Sequence, residues 1–311
     1  MNLTGVPFLR DVDRPVERGP ASDPKSPRAS EVLADRATDP VAVVVGVPFG
    51  GGSLSKARCE QAPAAVRASL GRFSAYSSDS GVSLEIASVL DAGDVEVTGD
   101  VAETQERIAA CITALRERHD LPLVAIGGDN SITVGAARGV AADGLVTFDA
   151  HHDVRDGISN GSPVRQLLED GLAGRRIVQV GIHGFANSRV YSELAAAAGV
   201  SWVAAEAVRR SGIDVVVDQT LALLAGNGAT RIFVDVDLDC LDRAFSPGTA
   251  ASLPGGLWPA DLERAAFVLG ASPLVCGMDL TELDPSQDVG QTTVRTAAAV
   301  MLAFVAGIVS R

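Results

Sequence analysis

Paired cysteines, an excess of positive charge and a bilayer-length apolar run are all missing from this 311-residue chain. The four cysteines, Cys59, Cys111, Cys240 and Cys276, are scattered and form no C-x-x-C pair. A disulfide framework is thereby excluded as the organising device, and reduced thiols in a cytoplasmic protein are expected. The net charge of -13 argues against nucleic acid or an anionic membrane as partner. Residues 1–10 offer no apolar stretch of signal-peptide length. The longest apolar stretch, residues 296–309, is too short to span a bilayer and reads as a buried helix.

What the chain does have is a hydrophobic fraction of 47%, enough to core one large domain. Residues 1–40 are expected to form an extended or disordered N-terminal arm. From Asp11 onward they are rich in Arg, Asp, Pro and Ser and show no periodicity, and such an arm can clasp a neighbouring subunit. Residues 41–311 read as a single domain. The β-branched run 41–47 (VAVVVGV) fits a central parallel strand. Further strands are expected at 121–126, 144–148, 177–182, 202–204, 231–236 and 274–279. Helices are expected at 62–72, 101–119, 188–198, 213–225 and 259–269 and over the C-terminal run. Alternation of this kind predicts an α/β fold, a parallel sheet covered by helices on both faces.

Two acidic clusters follow two of these strands. The first is Asp149-Ala-His151-His-Asp153 and the second Asp237-Leu-Asp239-Cys-Leu-Asp242. Ligands bind at the carboxyl ends of parallel strands, so both clusters belong at a functional rim. Alternate residues of an extended segment project to one side, so Asp149, His151 and Asp153 can face one point while His152 points elsewhere. Asp235, earlier in its strand, is expected to be structural or to support the ligands. Carboxylates gathered at one rim repel unless cations sit among them. Hard oxygen donors with one imidazole suit Mn²⁺, Mg²⁺, Fe²⁺ or Zn²⁺. A dinuclear centre makes chemical sense of the set: carboxylates bridge two ions about 3.5–4 Å apart, and a shared water ionises near neutral pH.

Read in order, these pieces resemble the ureohydrolases: arginase, agmatinase, formimidoylglutamase and relatives. The matching segments are Lys56-Ala-Arg58 with Ala62-Pro63-Ala-Ala-Val66-Arg67, Asp91-Ala-Gly-Asp94-Val95, and Gly127-Gly-Asp-Asn-Ser131. They continue with the two acidic clusters, Pro247-Gly-Thr249 and Asp279-Leu-Thr-Glu282. The resemblance implies a mostly parallel sheet of about eight strands and a site with two Mn²⁺. It implies that Asp149 and Asp237 bridge the ions, that His151 and Asp239 complete one ion's shell, and that Asp153 binds the other. Asp153 and Glu282 are the expected catalytic residues, Glu282 holding the cationic nitrogen end of the substrate. A homo-oligomer, trimer or hexamer, is implied as well.

One position departs from the pattern. Where the family's Gly-Gly-Asp-His-Ser motif has a histidine ligand, this chain has Asn130. Either Asn130 is a weaker metal ligand, with its ion loosely held or absent, or it caps the helix that begins near Ser131. Within the family the chain looks most like formimidoylglutamase. An Asp-x-Arg follows the first cluster, a Gly-Ser-Pro-x-Arg segment comes next, and 181–187 (GIHGFAN) resembles that group's segment. The substrate of that enzyme, a small molecule, carries two carboxylates, which Arg155 and Arg165 would neutralise, with Asn187 as a further expected substrate contact. An agmatinase or guanidino-acid hydrolase releasing urea, and a metal-impaired paralogue with an assembly role, are the alternatives.

Overall fold

In the computed structural model the described residues are 3–14, 23, 25–34 and 39–311. One ten-stranded sheet crosses the molecule. Its strands are β1 (Leu9–Arg10), β2 (Leu33–Ala34), β3 (Ala42–Gly46), β4 (Val89–Val95), β5 (Leu123–Ile126), β6 (Gly144–Phe148), β7 (Ile177–Ile182), β8 (Ser201–Ala204), β9 (Ile232–Asp237) and β10 (Val275–Thr281). The order is β1-β4-β3-β5-β10-β9-β6-β7-β8, with β2 also on β4. Leaving out the two-residue β1 and β2, the remaining eight strands all pair in parallel. The expected sheet of about eight parallel strands is therefore present. Among the described strands only β1 runs antiparallel, on β4.

The arm expected over 1–40 falls partly outside the described residues. Where it is described, β1 and β2 extend the sheet edge, Val6, Ala29 and Val32 are buried, and Arg14 bonds Asp91 at 3.1 Å. Arg67 is buried beside them. It makes two 2.9 Å bonds to Asp91 and one of 2.6 Å to Asp94, so its charge is fully partnered.

Helices cover both faces. They are α1 (Ala62–Ser69), α2 (Val101–His119), α3 (Ile132–Gly139), α4 (Pro163–Glu169), α5 (Arg189–Ala197), α6 (Ala205–Ser211), α7 (Ile213–Gly226), α8 (Pro259–Ala271) and α9 (Thr292–Val309). Alternate side chains of each strand enter opposite cores. Val44, Val124, Val146 and Phe148 pack with α1, α7, α8 and α9, while Val43, Val45, Leu123 and Leu145 pack with α2, α3 and α4. The apolar C-terminal run is longer than expected, beginning at Thr292, and its Ala297, Val300, Met301 and Phe304 are buried core. Crossing of α8 and α9 is close enough that a Cβ on Gly307 would lie 2.2 Å from the Phe267 carbonyl.

The topology creates the site. The chain passes from β5 to β6 and then outward to β8, and β9 and β10 later fill the gap between β5 and β6. The carboxyl ends of β5, β10, β9 and β6 thus lie side by side at the crevice where α/β sheets bind ligands.

Candidate metal centre

Each of those four ends delivers part of one cluster. Asp149 follows β6, Asp237 closes β9, Asn130 stands in the loop after β5 and Glu282 follows β10. Asp149, His151 and Asp239 of the expected set converge, but regular strand alternation is not what brings them together. In both clusters the first aspartate folds the chain back on itself. Asp149 Oδ1 accepts the His151 N–H at 2.6 Å, and Asp237 Oδ1 accepts the Asp239 N–H at 2.8 Å. These paired side-chain turns set the residue two positions on beside the first. Asp153 and Glu282 then adopt left-handed backbone, with φ of 51° and 63°, a strained choice for non-glycine residues that clusters at functional sites.

His151 Nδ1 lies 2.9 Å from Asp239 Oδ2 and 3.4 Å from Asp149 Oδ1. One donor atom from each of Asp149, His151 and Asp239 falls within 4.8 Å of the others. Asp153, Asp237, Asp239, His151 and Glu282 line a cavity of about 110 Å³. His152 points away, as expected, its Nδ1 2.7 Å from Gln179 Oε1 and its ring edge-on to Trp202. Asp235 lies under the ligands with Asp279, both touching the Thr133 hydroxyl.

The electrostatics favour a bound cation or proton at this cluster. Burial and then the neighbouring Asp239 push Asp149 up to about 6. Burial and the surrounding carboxylates hold Asp153 and Asp237 well above the ordinary carboxylate range. Glu282 is pushed up to about 8 by burial and Asp129. Against its own burial, Asp239 and Asp149 raise His151 to about 12. Asp149 Oδ2 is buried with no hydrogen-bond partner. An orphaned acceptor among closely packed hard donors is what a divalent ion of the manganese type satisfies. Asp149, His151 and Asp239 are the ones whose donor atoms gather closely enough to share an ion, and Asp153 and Asp237 line the cavity beside them.

Asn130 is in the cluster, but its oxygen is turned from it. Its Nδ2 donates to Asp153 Oδ2 at 2.7 Å, while Oδ1 accepts from the Thr133 and Thr281 hydroxyls at 2.9 and 3.3 Å. Nor does its side chain cap α3, whose N-cap position is Ser131 without a side-chain cap bond.

The expected substrate residues separate. Arg155 lines the cavity, its guanidinium 5.6 Å over the Tyr191 ring. Arg165 is not brought there: Asp156 holds it at 2.9 Å on the rim, with Glu169 at 3.6 Å. Two nearby surface carboxylates compete for a charge whose spacing alone suggested the cavity. Asn187 is also absent from the cavity lining, its amide bonded to the backbone of Ala150 and His152. Sequence reasoning missed Asn160. It donates to Glu282 at 3.0 Å and accepts from the Leu54 N–H, and its only signal was an Asn-Gly pair in a loop after the first cluster.

The arginase-family model matches residues 41–307. The chain belongs to the arginase family. Among arginase-family relatives, the formimidoylglutamase of Halalkalibacterium halodurans is 36% identical over 276 residues, 85% of this chain and 86% of that one. The crystal structure of formimidoylglutamase from Bacillus subtilis superposes with a TM-score of 0.86 at 30% identity, covering 96% of each chain. A formiminoglutamase of Trypanosoma cruzi, solved with Mn²⁺, has a TM-score of 0.84 at 25% identity, covering 92% of this chain and 99% of that one.

Proposed function

We propose that this arginase-family protein is a formimidoylglutamase, hydrolysing N-formimidoyl-L-glutamate to L-glutamate and formamide as a step of histidine degradation. The observation that carries this reading is the pairing of opposite charges along one cavity. Glu282 lies inside it, and Arg155 lines it with its guanidinium over the Tyr191 ring. An amidinium with a carboxylate tail matches that pair. Agmatine presents a second cation where Arg155 stands, and is disfavoured by repulsion. Relatives of that name at 32–36% identity over most of the chain support the reading.

Two Mn²⁺ held by Asp149, His151, Asp153, Asp237 and Asp239 would supply Lewis acidity and an ionised water near neutral pH. Glu282 binds the amidinium nitrogen, and that cation draws its carboxyl back to the charged form. The Asn130 N–H and the Asn160 amide both donate to Glu282 Oε1, at 2.8 and 3.0 Å, and fix its direction. Asp153, oriented by the Asn130 amide, accepts the proton of the attacking water and passes it to the departing nitrogen. As water oxygen bonds to the formimidoyl carbon, the bond from that carbon to the glutamate nitrogen breaks. Glutamate leaves as the amine, and the carbon keeps its other nitrogen as formamide.

The reading carries with it a homo-oligomer, as the resemblance implied, in the cytoplasm, as the unpaired cysteines suggested. The deciding experiment assays formimidoylglutamate, agmatine and arginine side by side with Mn²⁺. Formamide release from the first alone is expected; urea from either of the others without formamide overturns the assignment.

A further inference from the structure

The loop between Asp149 and Asp153 leaves the regular ladder, and its backbone groups are still bonded: the Ala150 carbonyl accepts the His183 N–H at 3.0 Å, and the Ala150 N–H donates to Asp239 Oδ1 at 3.2 Å. Two side-chain amides complete the set. Asn187, in the loop after β7, donates Nδ2 to the Ala150 carbonyl at 2.8 Å and accepts the His152 N–H on Oδ1 at 2.9 Å. Gln179, within β7 and fully buried, donates Nε2 to the His152 carbonyl at 3.2 Å and reaches the His151 carbonyl at 3.5 Å. With its nitrogen so committed, the Gln179 oxygen faces His152 Nδ1 at 2.7 Å, so that nitrogen carries the proton. The His152 ring is thereby fixed edge-on to Trp202, with centroids 4.9 Å apart. The backbone bonds among these all land on residues 150–152, the peptide groups around His151.

We infer that Asn187 and Gln179 form a clamp that positions the metal-binding loop, and that Asn187 acts through this clamp rather than by touching substrate. An amide bonded on both sides of His151 fixes where its Nδ1 points. The same grip sets the separation of Asp149 from Asp153. A loop left to find this geometry on binding an ion weakens its hold, and partners that orient ligands commonly contribute about 10- to 100-fold in metal affinity. The inference rests on the metal-centre reading above.

The test is a Mn²⁺ titration of the full chain, following the free-ion electron paramagnetic resonance signal, for wild type, Asn187→Ala, Asn187→Asp and Gln179→Glu. The aspartate keeps the acceptor for the His152 N–H but sets an oxygen against the Ala150 carbonyl. Its near-identical size keeps the comparison informative if the alanine variant folds poorly. Expected is a Mn²⁺ dissociation constant weaker by about 10-fold or more in each variant. The metal-free melting midpoints should stay within a few degrees of wild type. At saturating Mn²⁺ the KM for formimidoylglutamate should return to the wild-type value. Unchanged Mn²⁺ affinity with a raised KM would make Asn187 a substrate contact and overturn the clamp. A wild type that binds Mn²⁺ but releases no formamide removes only the substrate assignment. A wild type that binds no Mn²⁺ removes the metal centre and the clamp with it.

Discussion

Asn130 presents its amide nitrogen, not its oxygen, to Asp153, across 2.7 Å. The orientation follows from its neighbours. Two threonine hydroxyls donate to the oxygen, and a swapped amide would set that oxygen against a carboxylate. To bind an ion through oxygen, Asn130 must turn over and leave both hydroxyls. We therefore expect one ion to be lost first on dialysis and activity to depend on added Mn²⁺. Asn130→His supplies an imidazole, the better donor for first-row divalent ions, and should tighten Mn²⁺ binding. Parallel Mn²⁺ titrations check this, and identical affinity in the two proteins would show that position 130 does not reach the metal.

Replacing Asp149 or Asp237 by alanine should lower turnover by more than about 10²-fold, because the activated nucleophile is lost with the metal pair. Stability of the metal-free protein should change far less than turnover. Both carboxyls are buried among like charges, so removing either relieves repulsion, which offsets the loss of the bond each makes to the N–H two residues on. Kinetics and thermal melts of the metal-free variants test the two halves. Turnover near wild type in either variant would exclude the dinuclear centre.

Much of this was readable in the chain for specific reasons. Strands buried on both faces read as unbroken apolar runs, so β6 and β7 coincide with the expected 144–148 and 177–182. The α2 helix matches 101–119 because Asp100 caps one end and a left-handed Asp120 closes the other. Strand β4 was not identified, since Asp91 and Asp94 interrupt its apolar pattern. Those acids are neutralised by Arg67, which lies 24 residues from Asp91 in sequence. The α3 helix was placed only by its start near Ser131 and given no range, because two glycines lower its helical signal; they are there because they pack tightly against Ile108 and Ile112 of α2. At the site, the acidic cluster of Asp149, His151 and Asp239 was legible from residue type, but the competition for Arg165 and the double use of Asn187 depend on contacts that spacing does not encode.

The metal-free protein should lose stability as pH rises from about 4 to 8. Burial raises Asp149 to about 6, Asp279 to about 7 and Glu282 to about 8, all above their ordinary values. A carboxyl with a raised folded-state pKa binds its proton more tightly when folded, so the native state is favoured at low pH. That advantage fades as the pH passes each folded value. His151, raised to about 12, acts in the same sense from its ordinary 6.5 upward. Asp239 opposes them. Though burial works against it, His151 holds it below its ordinary 3.8, so its contribution is lost only in stronger acid. Saturating Mn²⁺ should reverse the trend, because metal and protons compete for the same oxygens. Melting midpoints at pH 5, 6, 7 and 8, with and without Mn²⁺, test this. A metal-free midpoint that climbs with pH would contradict the electrostatic account.

Arg155 and Arg165 should behave differently although both were drawn from one segment. Arg155 lines the cavity with its guanidinium over the Tyr191 ring. A substrate carboxylate meeting it forms a charge-assisted bond worth about 1.5–3 kcal/mol. Arg155→Ala should therefore raise the KM for formimidoylglutamate by about 10- to 100-fold while leaving kcat within a few-fold, because the reacting carbon lies at the other end of the substrate. Arg165 already bonds Asp156, whose side chain is fully exposed, and such rim pairs contribute little. Arg165→Ala should change KM by less than about 3-fold. The contrast is sharpened by a neutral probe: a formimidoyl amine without carboxylates should be hydrolysed equally poorly by wild type and Arg155→Ala. Equal KM effects of the two arginine substitutions, or an Arg155→Ala defect that persists with the neutral amine, would show that Arg155 does not bind the carboxylate.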